Sequence, residues 1–306
     1  YNATTPVVPE VVEAMYPYLG EYFGNPSSSH WYGKQAERAV STAREQVARL
    51  LGCTPAEIIF TSGGSEANNL AIKGIAASLR DKGDHIITSA IEHPAVIEVC
   101  RYLEEDGFSV TYLPVDKEGS VSVEDFATAI KPSTILATIM HANNEVGTIQ
   151  PISHLTSAAR ERGIAFHTDA AQSIGKIPTR IDGLGVNLLS IAGHKFYAPK
   201  GIGALFIAAG TRLAKLIHGA SHEMGFRAGT ENVPSIVGLG KAAEIAARDL
   251  VETRRHISVL RDMLQAGIEV EIPDSVVNGN IKSRLPNTLS ISFPGIQANK
   301  LIDEIG

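Results

Sequence analysis

Cysteine is scarce in this chain, whose 306 residues contain only two, Cys53 and Cys100. Two cysteines are too few for a disulfide framework, and neither has a second ligand at the spacing of a metal site. We therefore predict no metal centre and interpret both as small, buried apolar residues in a reducing compartment. Neither lies in a sequence context typical of a reactive thiol.

The sequence also lacks the features of membrane and nucleic-acid proteins. No apolar run approaches the roughly 20 residues of a transmembrane helix, and no secretory segment is present. The net charge of −6 and the absence of a polybasic run give no electrostatic footprint for nucleic acid. We expect a cytoplasmic protein, or one of an organelle matrix if a targeting peptide has been removed, since Tyr1-Asn2 resembles the interior of a strand or loop.

What is present is a globular composition and a repeated pattern of apolar strands and amphipathic helices. Such βα repeats predict an α/β fold with a mostly parallel, doubly wound sheet. The predicted strands cover residues 57–60, 86–89, 109–113, 135–140, 164–167 and 202–207, and the main predicted helices cover 9–18, 33–51, 94–105, 123–130 and 152–162.

The length predicts two domains, because single cores stop growing at about 250 to 300 residues. We assign residues 1–232 to a large domain and residues 233–306 to a linker helix and a second, smaller α+β domain. The smaller part combines one long or two abutting helices over 234–264 with strands at 268–272 and 288–293. We interpret it as truncated at its C-terminus, and residues 1–30 are expected to pack against it.

A single lysine, Lys195, follows the strand-like run 188–191 and the pair Gly193-His194. A lysine amine with a lowered pKa can add to a carbonyl and form a Schiff base, and pyridoxal phosphate is the common partner for that chemistry. The cofactor also requires an acid at its pyridine nitrogen and donors for its phosphate. A surface lysine after a strand is the alternative, but it explains neither the preceding Gly-His nor the apolar residues that follow.

Asp169 stands at the carboxyl end of a predicted strand, which is the edge where open parallel sheets bind ligands. Its carboxylate could pair with a pyridinium. The alternative is that it caps a helix beginning at Ala170, which is the commoner use of this position.

The segment Thr61–Glu66 joins a strand to a helix through Gly63, Gly64 and Ser65. Glycines permit close approach of the backbone, and the free N–H groups at a helix start attract an anion, so this arrangement predicts a phosphate site. It is neither GxGxxG nor a Walker loop, which disfavours nucleotides. The alternative is that Ser65 simply caps the helix, with Asn68 three residues further on.

Six motifs connect these segments to a known family. In this order, SGGSEANN, IEHPAV, HANNEVG, HTDAAQ, AGHKFYAPKGIG and RAGTENV closely resemble the cysteine desulfurases and selenocysteine lyases. These enzymes belong to the class V aminotransferase group, which depends on pyridoxal phosphate. The resemblance runs from Asn2 to about Phe293 and implies a fold like that of the type I pyridoxal phosphate transferases, with the cofactor in the large domain.

The resemblance also implies the roles of individual side chains. Lys195 would hold the cofactor as a Schiff base, with His93 lying flat on the pyridine ring, and these two are the expected catalytic residues. Asn144 would contact the ring oxygen region and the substrate carboxylate, although its type is also common in turns. Gln172 would reach the phenolic oxygen, and His194 would donate to the phosphate.

Three further implications concern the phosphate and the assembly. Gly64 and Ser65 would hold the phosphate, and Thr230 would reach it from the other subunit of a homodimer. Many cysteine desulfurases have a serine at the position of Ala192, so this chain lacks one hydroxyl donor. Each lost neutral hydrogen bond is worth about 0.5 to 1.5 kcal/mol, so we expect binding to survive.

The implied reaction removes sulfur from L-cysteine, leaving L-alanine and a persulfide on a cysteine that then passes its sulfur to an acceptor protein. In the family this cysteine and a substrate-binding arginine lie beyond residue 306, and Cys53 and Cys100 do not replace the missing thiol. Three alternatives stay open: a selenocysteine lyase acting on L-selenocysteine, another class V aminotransferase or lyase, and a catalytically incomplete scaffold.

Overall fold

A seven-stranded sheet forms the centre of the molecule, for which the computed structural model describes residues 1–305. Its strands are β1 (Ile58–Thr61), β2 (His85–Ser89), β3 (Ser109–Leu113), β4 (Thr134–Thr138), β5 (Ala165–Asp169), β6 (Leu188–Ala192) and β7 (Gly203–Ile207). The spatial order is β1-β7-β6-β5-β4-β2-β3. β7 runs antiparallel to both of its neighbours, and the other pairs are parallel. The predicted mostly parallel sheet is therefore confirmed.

Helices cover both faces of this sheet, as continuous apolar strands require. Ile58 and Phe60 of β1 belong to the core cluster on one face, whereas Ile59 between them belongs to the cluster on the other. The helices are α1 (Pro9–Met15), α2 (Pro17–Gly20), α3 (Trp31–Leu51), α4 (Gly64–Leu79), α5 (Pro94–Glu105), α6 (Val123–Ala129), α7 (Ile152–Glu161), α8 (Ile181–Leu184), α9 (Val233–Glu271) and α10 (Ala298–Ile305). α3, α6, α7 and α9 contribute to the first cluster, and α4 and α5 contribute to the second.

The central elements begin and end within two residues of their predicted bounds. Two cases show why. α5 starts at Pro94, which is favoured at the first helical position because its missing N–H would be unpaired there. α3 ends at Gly52, which adopts a left-handed φ of 70° that glycine tolerates best.

The strand predicted at 268–272 is wrong, because these residues form the last turns of α9. The alternating pattern of Ile268, Val270 and Ile272 suggests a strand, yet Val270 is 76% exposed and no partner strand lies beside it. The helix ends at Glu271 with Ile272 as its C-cap, since the residue preceding a proline, here Pro273, disfavours helical geometry.

A second sheet follows α9, in which β8 (Val276–Asn278) pairs antiparallel with β9 (Ser290–Ser292). β9 lies within the predicted strand 288–293, and its partner is β8 rather than the predicted segment. The N-terminal segment contacts this region, because Asn287 Nδ2 donates to Asn2 Oδ1 at 2.8 Å. The assignment of residues 1–232 and 233–306 to separate domains stays a prediction.

Three smaller expectations are corrected. The predicted helix 9–18 is split into α1 and α2 by Pro17. The chain after Asp169 makes turns instead of a helix, because Gly175 takes a left-handed φ of 70° and Pro178 follows. Cys100 is buried as predicted, but Cys53 is only half-buried.

Within residues 1–305, no helix combines the length and the apolar character that crossing a bilayer requires. The same residues contain no group of three or more His, Cys, Asp or Glu side chains placed to hold a metal ion.

Candidate active site

A cavity of about 250 Å³ opens at the carboxyl edge of β5 and β6, beside the N-terminus of α4. Parallel strands bring their following loops together at this edge, which is why segments far apart in sequence converge there. Eight of the nine predicted site residues line the cavity, namely Gly64, Ser65, His93, Asn144, Asp169, Gln172, His194 and Lys195.

Asp169 ends β5 and is buried, with 7% of its surface exposed. Its Oδ1 accepts from the backbone N–H of Ala171 at 2.9 Å, and its Oδ2 accepts from Asn68 Nδ2 at 2.7 Å. The two interpretations of Asp169 are therefore compatible. One oxygen caps the turn that follows the strand, while the carboxylate as a whole lines the cavity.

Asn68 is a site residue that the sequence analysis missed. It is almost completely buried on α4, it lines the cavity, and it donates to Asp169. Its Oδ1 has no hydrogen-bond partner among the described residues. A buried amide with an unpaired acceptor is costly unless something else satisfies it, so Asn68 marks the wall of a polar ligand site. The available signal was a polar residue on the buried face of the helix.

The N-terminus of α4 provides the anion site. The helix begins at Gly64 and its N-cap is Gly63, so the alternative in which Ser65 caps the helix does not apply. Gly63 has a φ of 153°, which L-residues rarely adopt, and no side chain caps the first turn. The first N–H groups of the helix therefore remain available to an anion in the cavity.

Gly64 and Ala192 pack closely at this end of the cavity. A Cβ added to Gly64 would lie 3.1 Å from the Cβ of Ala192, which is tighter than ordinary contact. Two small residues thus let the start of α4 approach the end of β6. Ala192 contributes no donor, and His194 lines the same cavity two residues later.

Lys195 lies in the short 3-10 turn Gly193–Lys195 that follows β6. Its Nζ donates to the backbone carbonyl of Asn2 at 2.6 Å. Burial lowers the pKa of this amine, whereas the negative charges of Asp169 and Glu145 act in the opposite direction. Partial desolvation is the condition that makes a lysine amine nucleophilic near neutral pH.

Asn2 is a second residue that the sequence analysis did not single out as part of the site. Its carbonyl oxygen also accepts from Gln172 Nε2 at 3.0 Å, so Lys195 and Gln172 share one backbone acceptor. A backbone carbonyl has two lone pairs and can accept both. No sequence signal could have identified this role, because it depends on the backbone and not on the asparagine side chain.

His93 lines the cavity at the start of α5, where its Nδ1 accepts from the backbone N–H of Ala95 at 3.1 Å. The preceding residue, Glu92, is buried and turns away from solvent. Glu92 accepts from the Ser89 hydroxyl at 2.6 Å and from the Met140 backbone N–H at 2.9 Å. Glu92 therefore connects the loop that carries His93 to the segment that follows β4.

Burial raises the pKa of the Glu92 carboxyl to about 8. The folded protein consequently holds this proton more tightly than the unfolded chain, and the resulting stabilisation is complete below about pH 4.5 and is lost progressively as the pH rises to about 8.

Glu92→Gln is expected to remove this dependence while leaving an acceptor for Met140. Relative to the unchanged protein, the variant should gain about 1 to 3 kcal/mol in the free energy of unfolding between pH 5 and pH 8. Urea denaturation of both proteins at the two pH values measures the difference. An equal difference at both values would show that Glu92 is ionised in the folded state.

Thr230 is the predicted site residue that does not line the cavity, and it is exposed to solvent. Two ion pairs hold the loop that carries it. Arg227 pairs with Glu66 of α4 at 3.0 Å, and Arg44 of α3 pairs with the buried Glu223 at 2.8 Å. The loop is thus anchored beside the start of α4, with Thr230 facing outwards.

The donor set of the cavity fits pyridoxal phosphate. The half-buried amine of Lys195 and the buried carboxylate of Asp169 both line the cavity. The N-terminus of α4, which no side chain caps, supplies N–H groups for a phosphate. The Oδ1 of Asn68 has no partner among the described residues, so this wall has an acceptor that a polar ligand could satisfy.

The fold and this site define a class of enzyme, and comparison with known proteins identifies it. The profile of the family described as aminotransferase class-V matches residues 1–305. The chain belongs to this family, whose enzymes depend on pyridoxal phosphate.

Within the family, the chain is similar to cysteine desulfurases. It is 51% identical over 302 residues to the cysteine desulfurase IscS of Dictyoglomus turgidum, covering 99% of this chain and 77% of that protein. A solved NifS-like protein superposes with a TM-score of 0.96 at 42% identity, covering 99% of this chain and 83% of the other. A structure described as SspA in complex with cysteine gives a TM-score of 0.86 at 41% identity, covering 100% and 85%. These likenesses confirm the resemblance to cysteine desulfurases and the type I-like fold.

Proposed function

We propose that this protein is a pyridoxal phosphate-dependent cysteine desulfurase, which removes sulfur from L-cysteine and leaves L-alanine. The observation that carries the proposal is the convergence of Lys195, Asp169 and the start of α4 on one cavity. The similarity to cysteine desulfurases, and to a protein solved with cysteine, supports this substrate.

Different residues of the cavity would bind different parts of the cofactor. The N–H groups at the start of α4, with Ser65 and His194, would hold the phosphate. Asp169 would face the pyridine nitrogen, and His93 would lie against the ring. When bound, pyridoxal phosphate supplies an aldehyde that an amine can attach to and a ring that accepts electrons from the substrate carbon.

Lys195 is the proton carrier of the proposed mechanism. Burial lowers the pKa of its amine, so a larger fraction is neutral and able to take a proton from the substrate Cα. Asp169 lines the same cavity, and Asn68 Nδ2 and the Ala171 N–H, which both donate to it, hold its carboxyl group in place.

The thiol that receives the sulfur is proposed to come from outside residues 1–306. Burial raises the pKa of both Cys53 and Cys100 to about 12, so neither forms a thiolate at neutral pH. Neither cysteine lines the cavity. The nucleophilic cysteine and the arginine for the substrate carboxylate therefore stay proposals that rest on the family.

The assembly is proposed to be a homodimer in which Thr230 reaches the phosphate of the other subunit. The exposure of Thr230, together with the ion pairs that anchor its loop beside α4, supports this arrangement. An acceptor protein for the sulfur is also proposed, and the expected compartment, the cytoplasm or an organelle matrix, stays a prediction.

Product analysis on the full-length protein tests the function. With L-cysteine and a thiol reductant, we expect equal amounts of L-alanine and sulfide. Preferential release of selenide from L-selenocysteine would indicate a selenocysteine lyase. Formation of pyruvate or another keto acid would indicate a different class V enzyme, and no product from either amino acid would contradict the proposal.

A further inference from the structure

Lys176 is a charged neighbour of the cavity that the proposed mechanism does not use. Its Nζ donates to Gln172 Oε1 at 3.0 Å, and within the part of the chain that the structure describes this amide oxygen is its only hydrogen-bond partner. Burial and the nearby charge of Lys195 lower the pKa of the Lys176 amine to about 8. Among the described residues no carboxylate pairs with this ammonium, so its contact with the Gln172 amide is the feature to explain.

The contact with Lys176 determines the orientation of the Gln172 amide. Gln172 is buried, and its two ends face different partners, with Oε1 towards the Lys176 ammonium and Nε2 towards the Asn2 carbonyl. Turning the amide over would place its NH₂ against an ammonium and its oxygen against a carbonyl. Both contacts would then be repulsive, so the two partners together select one orientation.

This orientation matters because Nε2 has two hydrogens and only one of them is used by Asn2. The second is available to the cavity that Gln172 lines. Since Lys195 donates to the same carbonyl of Asn2, the amide and the amine lie side by side at one acceptor.

We propose that Lys176 is a positioning residue, whose ammonium fixes the Gln172 amide so that its N–H faces the cavity and donates to the phenolic oxygen of the cofactor. The proposal rests on the proposed function for the identity of the acceptor. The contact between Lys176 and Gln172 is a property of the chain alone.

The test uses Lys176→Met, which keeps the aliphatic stem, and Lys176→Arg, which keeps a donor. Lys82→Met is the matched control, because Lys82 is exposed in the turn between α4 and β2, at the opposite edge of the sheet. In the full-length protein we expect Lys176→Met to shift the absorption maximum of the bound cofactor and to weaken its binding by about 3- to 10-fold, as for one lost hydrogen bond. Lys176→Arg should restore both, and Lys82→Met should behave as the unchanged protein does.

The coupling to Gln172 is tested by the double variant. If Lys176 acts through the amide, Lys176→Met should have no further effect on absorption or affinity once Gln172 is replaced by leucine. An effect of the same size in both backgrounds would overturn the proposal, as would a spectrum and affinity for Lys176→Met that match those of Lys82→Met.

The unchanged protein, Lys176→Met, Gln172→Leu and the double variant, freed of cofactor and followed by thermal unfolding, test the contact independently. Non-additive losses in melting temperature are expected, whereas additive losses would overturn the proposal. If the unchanged protein bound no cofactor at all, the proposed function would fail while the unfolding measurements still decided the role of Lys176.

Discussion

Lys195→Ala is expected to abolish the visible absorption of the bound cofactor and to reduce turnover by at least about 10³-fold, since both amine attachment and proton transfer are lost. The fold should persist. The amine is half-buried and makes one hydrogen bond, to the Asn2 carbonyl, and that carbonyl still accepts from Gln172 Nε2 when the amine is removed. Absorption spectra, alanine production and the melting temperature of the purified variant measure these effects.

The matched variant Lys195→Arg separates charge from chemistry. An arginine keeps a cation near Asp169 but stays protonated and cannot form a Schiff base. It should therefore be as colourless and as inactive as the alanine variant. Visible absorption that survived in either variant would mean that another group holds the cofactor.

Asp169→Ala is expected to retain part of the cofactor and to lose about 10²- to 10³-fold in turnover, the usual effect of removing one preorganised electrostatic contact. The carboxylate ends β5 inside the cavity, and its negative charge would stabilise the protonated ring nitrogen. Cofactor content by absorption and alanine production under saturating L-cysteine are the measurements.

Asp169→Asn distinguishes this role from capping. The asparagine oxygen can still accept from the Ala171 N–H, so a residue that acted only as a cap would be replaced without loss. If the charge matters, the asparagine variant should be nearly as slow as the alanine variant. Full activity with asparagine, combined with a loss of about 1 kcal/mol of stability for alanine, would contradict the assigned role.

The layered part of the fold could be predicted because its signals are local. Pro94 sets the start of α5, Gly52 ends α3, and the strands of the central sheet are short buried runs between turn residues. The strand predicted at 268–272 was wrong because the deciding signal is not local. The alternating pattern of these residues fits a strand, but the long helix α9 continues through them to Glu271, and the local pattern does not reveal that continuation.

The site was predictable to the extent that its residues lie at the carboxyl ends of strands in one mostly parallel sheet. Lys195, Asp169 and Ser65 all stand at such ends, so the topology brings them together. Asn68 and Glu92 could not be found in this way. Asn68 contacts Asp169 across 101 residues of sequence and Glu92 contacts Met140 across 48, and both contacts exist only after folding.

Thr230 illustrates a different limit. Its proposed role requires a second subunit, and neither the sequence pattern nor the position of an exposed threonine on one chain determines what covers it. The amine, the acid and the anion site, in contrast, all line the cavity of a single chain, so their contacts are present without a second subunit.

Borohydride reduction of the purified protein with bound pyridoxal phosphate, followed by peptide mapping, identifies the amine that holds the cofactor. We expect one stable cofactor label, on Lys195. Lys176, the other amine beside the cavity with a lowered pKa, serves as the internal comparison and should stay unlabelled. A label on Lys176, or a colourless protein that takes up no cofactor and yields no labelled peptide, would contradict this expectation.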